Sequence, residues 1–190
     1  MPLPARLGAL SGIAAPTSFI TAWVIGGLRA KDYNPVQDAI SQLARVGAPT
    51  RPLMTSGFLA FAVFAPFWAK TISESLDEPK LKLSIGAAVV GTVGVATFPL
   101  GASFGDGPHA AAAALSYLGM GVTPAIGARA LARAGHDRSA RASYAVTGLS
   151  AVSLVASLAG VADGGLQRLG LTGPDLWFIA MAVRELRRRS

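Results

Sequence analysis

His109 is one of only two histidines in a chain without cysteine, and it follows Asp106 by three residues and Pro108 by one. At a helix start this spacing lets Asp106 cap the helix or orient the imidazole, and a neutral imidazole can act as a base. Ser41 would supply the hydroxyl, so Ser41, His109 and Asp106 are the catalytic candidates for a hydrolase of the Ser-His-Asp kind. No Gly-x-Ser-x-Gly elbow surrounds Ser41, and a lone histidine at a helix start more often holds structure than performs chemistry. A second constellation is Asp163-Gly-Gly-Leu-Gln-Arg168. It reads as an ion pair, as a clamp for a headgroup phosphate or carboxylate, or as a turn with a flanking charge. The candidate ligand-binding set is Asp38, Ser41, Asp106, His109, Asp163, Gln167 and Arg168.

The elements that must carry these residues are marked by where charge is missing. Residues 7–28, 52–69, 83–105, 107–128 and 142–162 contain no Asp, Glu, Lys or Arg, and 169–183 contain only Asp175. A hydrocarbon core about 30 Å thick takes roughly 20 apolar helical residues to cross. The pattern predicts an all-α, polytopic membrane bundle of six transmembrane helices, a single domain over 1–190. Its spans fall near 7–28, 53–72, 82–100, 109–131, 142–162 and 171–186. Only 14% of the chain is charged, against about 25% in soluble domains. The mean hydropathy of +0.47 is modest because the spans use Ala and Gly more than Leu and Ile, and small residues let membrane helices approach closely. The first apolar stretch exceeds the roughly 7–15 residues of a signal-peptide core, so a retained helix is expected.

The basic pI of about 10.6 is explained by topology. With the N-terminus in the cytoplasm, twelve of the 17 Lys and Arg lie on the inner side and five on the outer, whereas the ten acids divide evenly. Short cytoplasmic loops collect Lys and Arg, and the inner excess of seven equals the whole formal charge of +7. The basic residues then face anionic lipid headgroups, and the Arg187–Arg189 run is weak ground for nucleic-acid binding. This places the protein in the plasma membrane, multi-pass, with both termini cytoplasmic. His136 lies in an inner loop and cannot share a site with His109, so no zinc or other metal site is expected. No Walker loop, dinucleotide fingerprint, His-Glu-x-x-His or calcium loop is present, and no cofactor is expected.

Local signals refine the layout. Pro16 and Pro124 each remove a backbone hydrogen bond in mid-span, so kinks are expected there, the freed carbonyls being satisfied by neighbours. Trp68 reads as an interfacial aromatic. Ser143, Thr147, Ser150, Ser153, Ser157 and Gly160 share one face of the fifth span, a small-residue packing seam or a hydrophilic lining. Thr172-Gly173-Pro174-Asp175 reads as the start of the last span, with Asp175 at the outer interface. In the long outer loop, Asn34-Pro35 with Gln37 forms a capping box. From there Val36, Ile40, Leu43 and Gly47 recur on one face of a short amphipathic helix lying along the outer leaflet or capping the bundle.

Tyr33-Asn34-Pro35, Ile40-Ser41-Gln42-Leu43, Phe98-Pro99 before His109, and Gly165-Leu166-Gln167-Arg168 resemble the bacterial and archaeal integral membrane proteins grouped as domain of unknown function 998. The resemblance covers nearly the whole chain and includes the six-span layout. It implies an integral membrane protein and assigns no activity.

The expected function is therefore an integral membrane protein that binds a lipid or small ligand in an outward-facing polar vestibule. Membrane lipids and a lipid or small-molecule ligand are its expected partners. A membrane-embedded Ser/His hydrolase and a small transporter are the alternatives.

Overall fold

A computed structural model describes residues 3–157 and 162–188. Among the described residues there are six α-helices, one 3-10 helix and no strands. The helices are α1 (Leu3–Arg29), α2 (Arg51–Ser75), α3 (Lys80–Thr97), α4 (Gly107–Arg133), α5 (Asp137–Ser157) and α6 (Asp163–Arg188). The 3-10 helix, Ile40–Ala44, lies in the connection between α1 and α2. Helices α1 to α4 are long and apolar enough to cross a membrane. Each helix packs on its sequence neighbour, and α6 returns to α1, closing a ring.

Two kinds of connection divide the bundle. Tight turns follow α2 and α4, and the longer segments 30–50 and 98–106 meet at the other end, where Val46 N–H donates to Leu100 O at 2.9 Å. The start of α6 joins that loop end through Gly165 N–H, which donates to Val36 O at 2.9 Å.

Small residues set how closely the helices approach. A Cβ on Gly91 would overlap the backbone of Ser116 and Ala112, and one on Gly119 would overlap that of Ala88 and Ser84. Only glycine permits this α3–α4 separation. Hydroxyls bond across the same seam, Thr92 Oγ1 with Ser116 Oγ at 3.0 Å and Thr123 Oγ1 donating to Ser84 Oγ at 2.8 Å. The serine face of α5 is also a seam. Ser143, Ser150, Ser153 and Ser157 are buried while Leu149, Val152 and Val155 are exposed, the reverse of a soluble helix. Gly160, expected on the same face, lies outside the described residues.

Three expectations are corrected. The last span does not start at Thr172 to Asp175: Asp163 to Arg168 already open α6, and Pro174 sits inside that helix. Proline at 174 cannot donate to the carbonyl of residue 170, and Ser150 Oγ donates to Gly170 O instead, at 2.6 Å. The helix continues because its neighbour supplies the missing donor. Trp68 is not interfacial but fully buried, packed against Phe178. The segment from Asn34 to Gly47 forms no amphipathic α-helix. Asn34 O does accept from Asp38 N–H at 2.7 Å, yet Asn34 N–H donates to Asp38 Oδ2 at 2.7 Å rather than to Gln37. Ala39 is extended, with ψ 149°, and the 3-10 helix follows. The backbone groups an α-helix would use here bond to side chains of α6.

Candidate functional site

Arg168 and Gln167, adjacent on the second turn of α6, hold the 33–44 segment over the loop end. Arg168 Nη1 donates to Pro35 O at 2.6 Å, Asp38 O at 3.0 Å and Gly164 O at 2.8 Å. Its Nη2 donates to the Tyr33 hydroxyl, and the guanidinium stands 5.3 Å from the ring centres of both Trp23 and Tyr33. A cation with several donors suits such a site, where carbonyls and a phenol accept from both terminal nitrogens and aromatic rings lie close by. Burial raises the Tyr33 hydroxyl above its ordinary value, and the Arg168 charge opposes that rise. Gly164 is required beside this clamp, since a Cβ there would overlap Asp38 O. Gln167 Oε1 accepts from Ile40 N–H at 2.7 Å, and its Nε2 donates to the Tyr117 hydroxyl.

Beneath this strap lies a cavity between α1, α2, α3, α4 and α6, an envelope of about 550 Å³ in which the centre of a water-sized sphere can move through about 50 Å³. That is room for a few waters or a slender group, since one water needs about 10–15 Å³ by the same measure. The walls are apolar and aromatic, including Phe19, Phe58, Phe61, Val95 and Met120. Polar side chains enter at a few points: Ser41 from the strap, His109, Ser116 and Tyr117 from α4, Thr92 from α3, and Gln167 and Asp175 from α6.

His109 and Asp175 are the two with chemistry to spare. His109 is buried, and its Nδ1 lies 2.8 Å from Phe98 O. A carbonyl only accepts, so Nδ1 carries the hydrogen, and in the neutral ring Nε2 is left as an acceptor. Asp175 is 1% exposed, and its Oδ1 has no hydrogen-bond partner. Asp175 was expected at the outer interface; it instead lies three turns into α6, because the helix begins at Asp163.

Of the expected binding set, Ser41, His109 and Gln167 share the cavity. Arg168 reaches from α6 to the strap and is committed to the carbonyls of Pro35 and Asp38. Asp38 is half-buried in the strap, its carboxylate taken by Asn34 N–H. Asp163 is half-buried in the first turn of α6 and forms no ion pair with Arg168. Asp106 is exposed and accepts from Gly101 N–H at 2.8 Å, so the imidazole is oriented by a backbone carbonyl and not by this acid. Among the described residues no hydrogen bond joins Ser41 to His109, and no three His, Asp or Glu side chains converge as metal ligands. Sequence reasoning passed over Asp175 and Tyr117 as site residues. The signal for Asp175 was present, as the one charge in an otherwise apolar stretch, where an ionisable residue is a candidate for a functional site.

The chain belongs to the family described as protein of unknown function (DUF998), whose model matches residues 13–184. No curated protein and no solved structure matches it.

Proposed function

We propose that this DUF998 protein is a six-span integral membrane protein of the plasma membrane, with both termini cytoplasmic, that binds a lipid or other small ligand in the cavity at the loop end. Four helices meet the length and apolarity that spanning requires. The reversed burial of α5, serines inward and Leu149, Val152 and Val155 outward, supports a lipid-facing place for the fifth, since hydroxyls bonded within a bundle are favoured where no water competes. Helix α6 carries its charges either at its ends or against other helices, as a spanning helix must. The positive-inside bias then puts the loop end, and with it the cavity, on the outer side. Because the chain has no cysteine, orientation can be mapped with single introduced thiols. Lys31→Cys should react with an impermeant maleimide on intact cells and Arg138→Cys only after permeabilisation; the opposite result removes the outward-facing assignment.

One observation carries the binding reading: a fully buried carboxylate with an unpartnered oxygen borders an aromatic-walled cavity. Unpaired ionisable groups are costly in a bilayer and persist where they serve a ligand, ion or proton. Ala113 lines the cavity, and Ala113→Phe would fill it. Purified wild type should retain a small molecule, visible by mass spectrometry after extraction, that the filled variant has lost. Identical extracts from the two would remove the reading.

Hydrolysis is the second reading, favoured by Ser41 and His109 sharing the cavity with Nδ1 of the histidine anchored and Nε2 left for proton transfer. Its test is loss of activity toward ester probes in Ser41→Ala with the retained ligand unchanged. Transport has less support, because the half of the bundle below the cavity is filled by Trp68, Ile72, Leu81, Ile85, Leu131 and Phe178, all fully buried.

A further inference from the structure

The charge of the ligand follows from which polar groups in the cavity are already satisfied. Gln167 is used at both ends, by Ile40 N–H and the Tyr117 hydroxyl. Thr92 and Ser116 bond to each other. Ser41 and Tyr117 still offer hydroxyls that can donate or accept. The groups left that only accept are Asp175 Oδ1, without a partner, and, in the neutral ring, the nitrogen of His109 not bound to Phe98. Of all these, Asp175 alone is a carboxylic acid. No Lys or Arg lines the cavity. The nearest cation in sequence, Arg168, is held against the strap by three carbonyls and a phenol, so it cannot swing in to neutralise an anion without releasing them.

Resting on the reading of the cavity as a binding site, we propose that its ligand is a slender organic monocation with an N–H donor, an alkylammonium. The ammonium meets the Asp175 carboxylate, and the hydrocarbon part lies among Phe19, Phe58 and Phe61. Three features fit this class together. A buried carboxylate is compensated best by a hydrogen-bonded cation. Aromatic faces attract the same charge. The narrow free space admits a chain or small head but no bulky ring system. A zwitterionic phosphate headgroup is disfavoured, since nothing cationic lines the cavity to receive the phosphate.

The test uses the full-length protein in detergent and three probes of equal chain length, hexylamine, 1-hexanol and hexanoate, with bound probe measured by equilibrium dialysis. Hexylamine should bind about tenfold or more tighter than 1-hexanol, the gain expected of one charge-assisted hydrogen bond, with hexanoate weakest. Asp175→Asn should bring the amine within about twofold of the alcohol, and Ala113→Phe should abolish saturable binding of the amine. If hexanol or hexanoate binds as tightly as the amine and Ala113→Phe removes them, the cavity binds ligands but the charge inference is overturned. If none of the three binds saturably, the inference and the binding reading fall together. Should Asp175→Asn fail to fold, the ranking of the three probes on wild type decides alone.

Discussion

The two ends of this bundle solve the same packing problem differently. At the turn end, Trp68, Phe178, Ile72, Leu81, Ile85 and Leu131 leave no side chain exposed, and Phe178 packs against three aromatic rings, those of Phe61, Trp68 and Trp177. At the loop end, α6 reaches outward to a strap of irregular chain instead of packing fully against its neighbours, and a cavity remains below. One half is closed by large apolar side chains; the other is closed by hydrogen bonds to a loop. Apolar contact fills space, whereas a strap held by directional bonds can cover a space without filling it.

The largest expected effect tests this difference with one chemical change at both ends. Phe178→Ala removes a ring surrounded on all sides and should destabilise the protein by about 3–5 kcal/mol, read from thermal unfolding in detergent. Phe58→Ala removes a ring that already borders open space, so fewer contacts are lost, and the loss should be about half as large. Equal losses at the two sites would mean that the loop end is packed as tightly as the turn end.

Arg168→Ala comes next. It strips the strap of its bonds to Pro35, Asp38 and Tyr33, each bond to a charged donor being worth about 1.5–3 kcal/mol before water re-solvates the freed carbonyls. A net loss of about 2 kcal/mol is expected, most of it local. Limited proteolysis should therefore cut within 30–40 in the variant and spare the wild type, while the turns at 76–79 and 134–136 stay as resistant as before. Arg168→Lys should rescue little, because one ammonium cannot reproduce a planar fork between two rings. An uncut strap in Arg168→Ala would show that apolar contacts of Ile40 and Leu43 hold the loop without it.

How far the sequence revealed these ends follows the same division. Absence of charge located α1 to α4 to within a few residues, because a long apolar run in a helical chain admits one solution. At the loop end, side chains from distant elements override local preference. Gly164, Gly165 and Pro174 look like helix breakers in isolation. Gly164 is demanded by the backbone of Asp38, and the bond lost at Pro174 is replaced by Ser150 from α5. Neither partner is visible in a local reading, so α6 was expected to start too late and Asp175 to lie at the surface. The Asn34 turn was legible, but the helix expected after it was not formed, since Gln167 and Arg168 claim the backbone groups of Pro35, Asp38 and Ile40. Local chemistry identified Ser41, His109, Gln167 and Arg168 as residues of interest. Only the fold shows that Ser41 and His109 line the cavity, that Arg168 fastens its cover and that Gln167 does both.

The smallest effect concerns the turn end and its dependence on pH. Glu78, buried in the turn between α2 and α3, accepts from exposed Arg133 at 2.7 Å and, more weakly, from Lys80 N–H at 3.3 Å. The Arg133 hydrogen bond, outweighing burial, holds the Glu78 carboxyl below its ordinary value of 4.5. A carboxylate with a lowered folded-state value adds stability above its unfolded value and loses it as pH falls through the folded one. Wild type should therefore exceed Glu78→Gln in melting temperature at pH 7, and the excess should shrink below about pH 4.5 and vanish on further acidification. With Arg133 63% exposed, solvent screening keeps the difference under about 1 kcal/mol. Resistance to cleavage within 30–40 should be the same in both proteins at every pH, because nothing in the strap contacts this pair. If removing Glu78 also exposed the strap, the two ends would be coupled through the helices, and the filled half would be acting as more than a floor to the cavity.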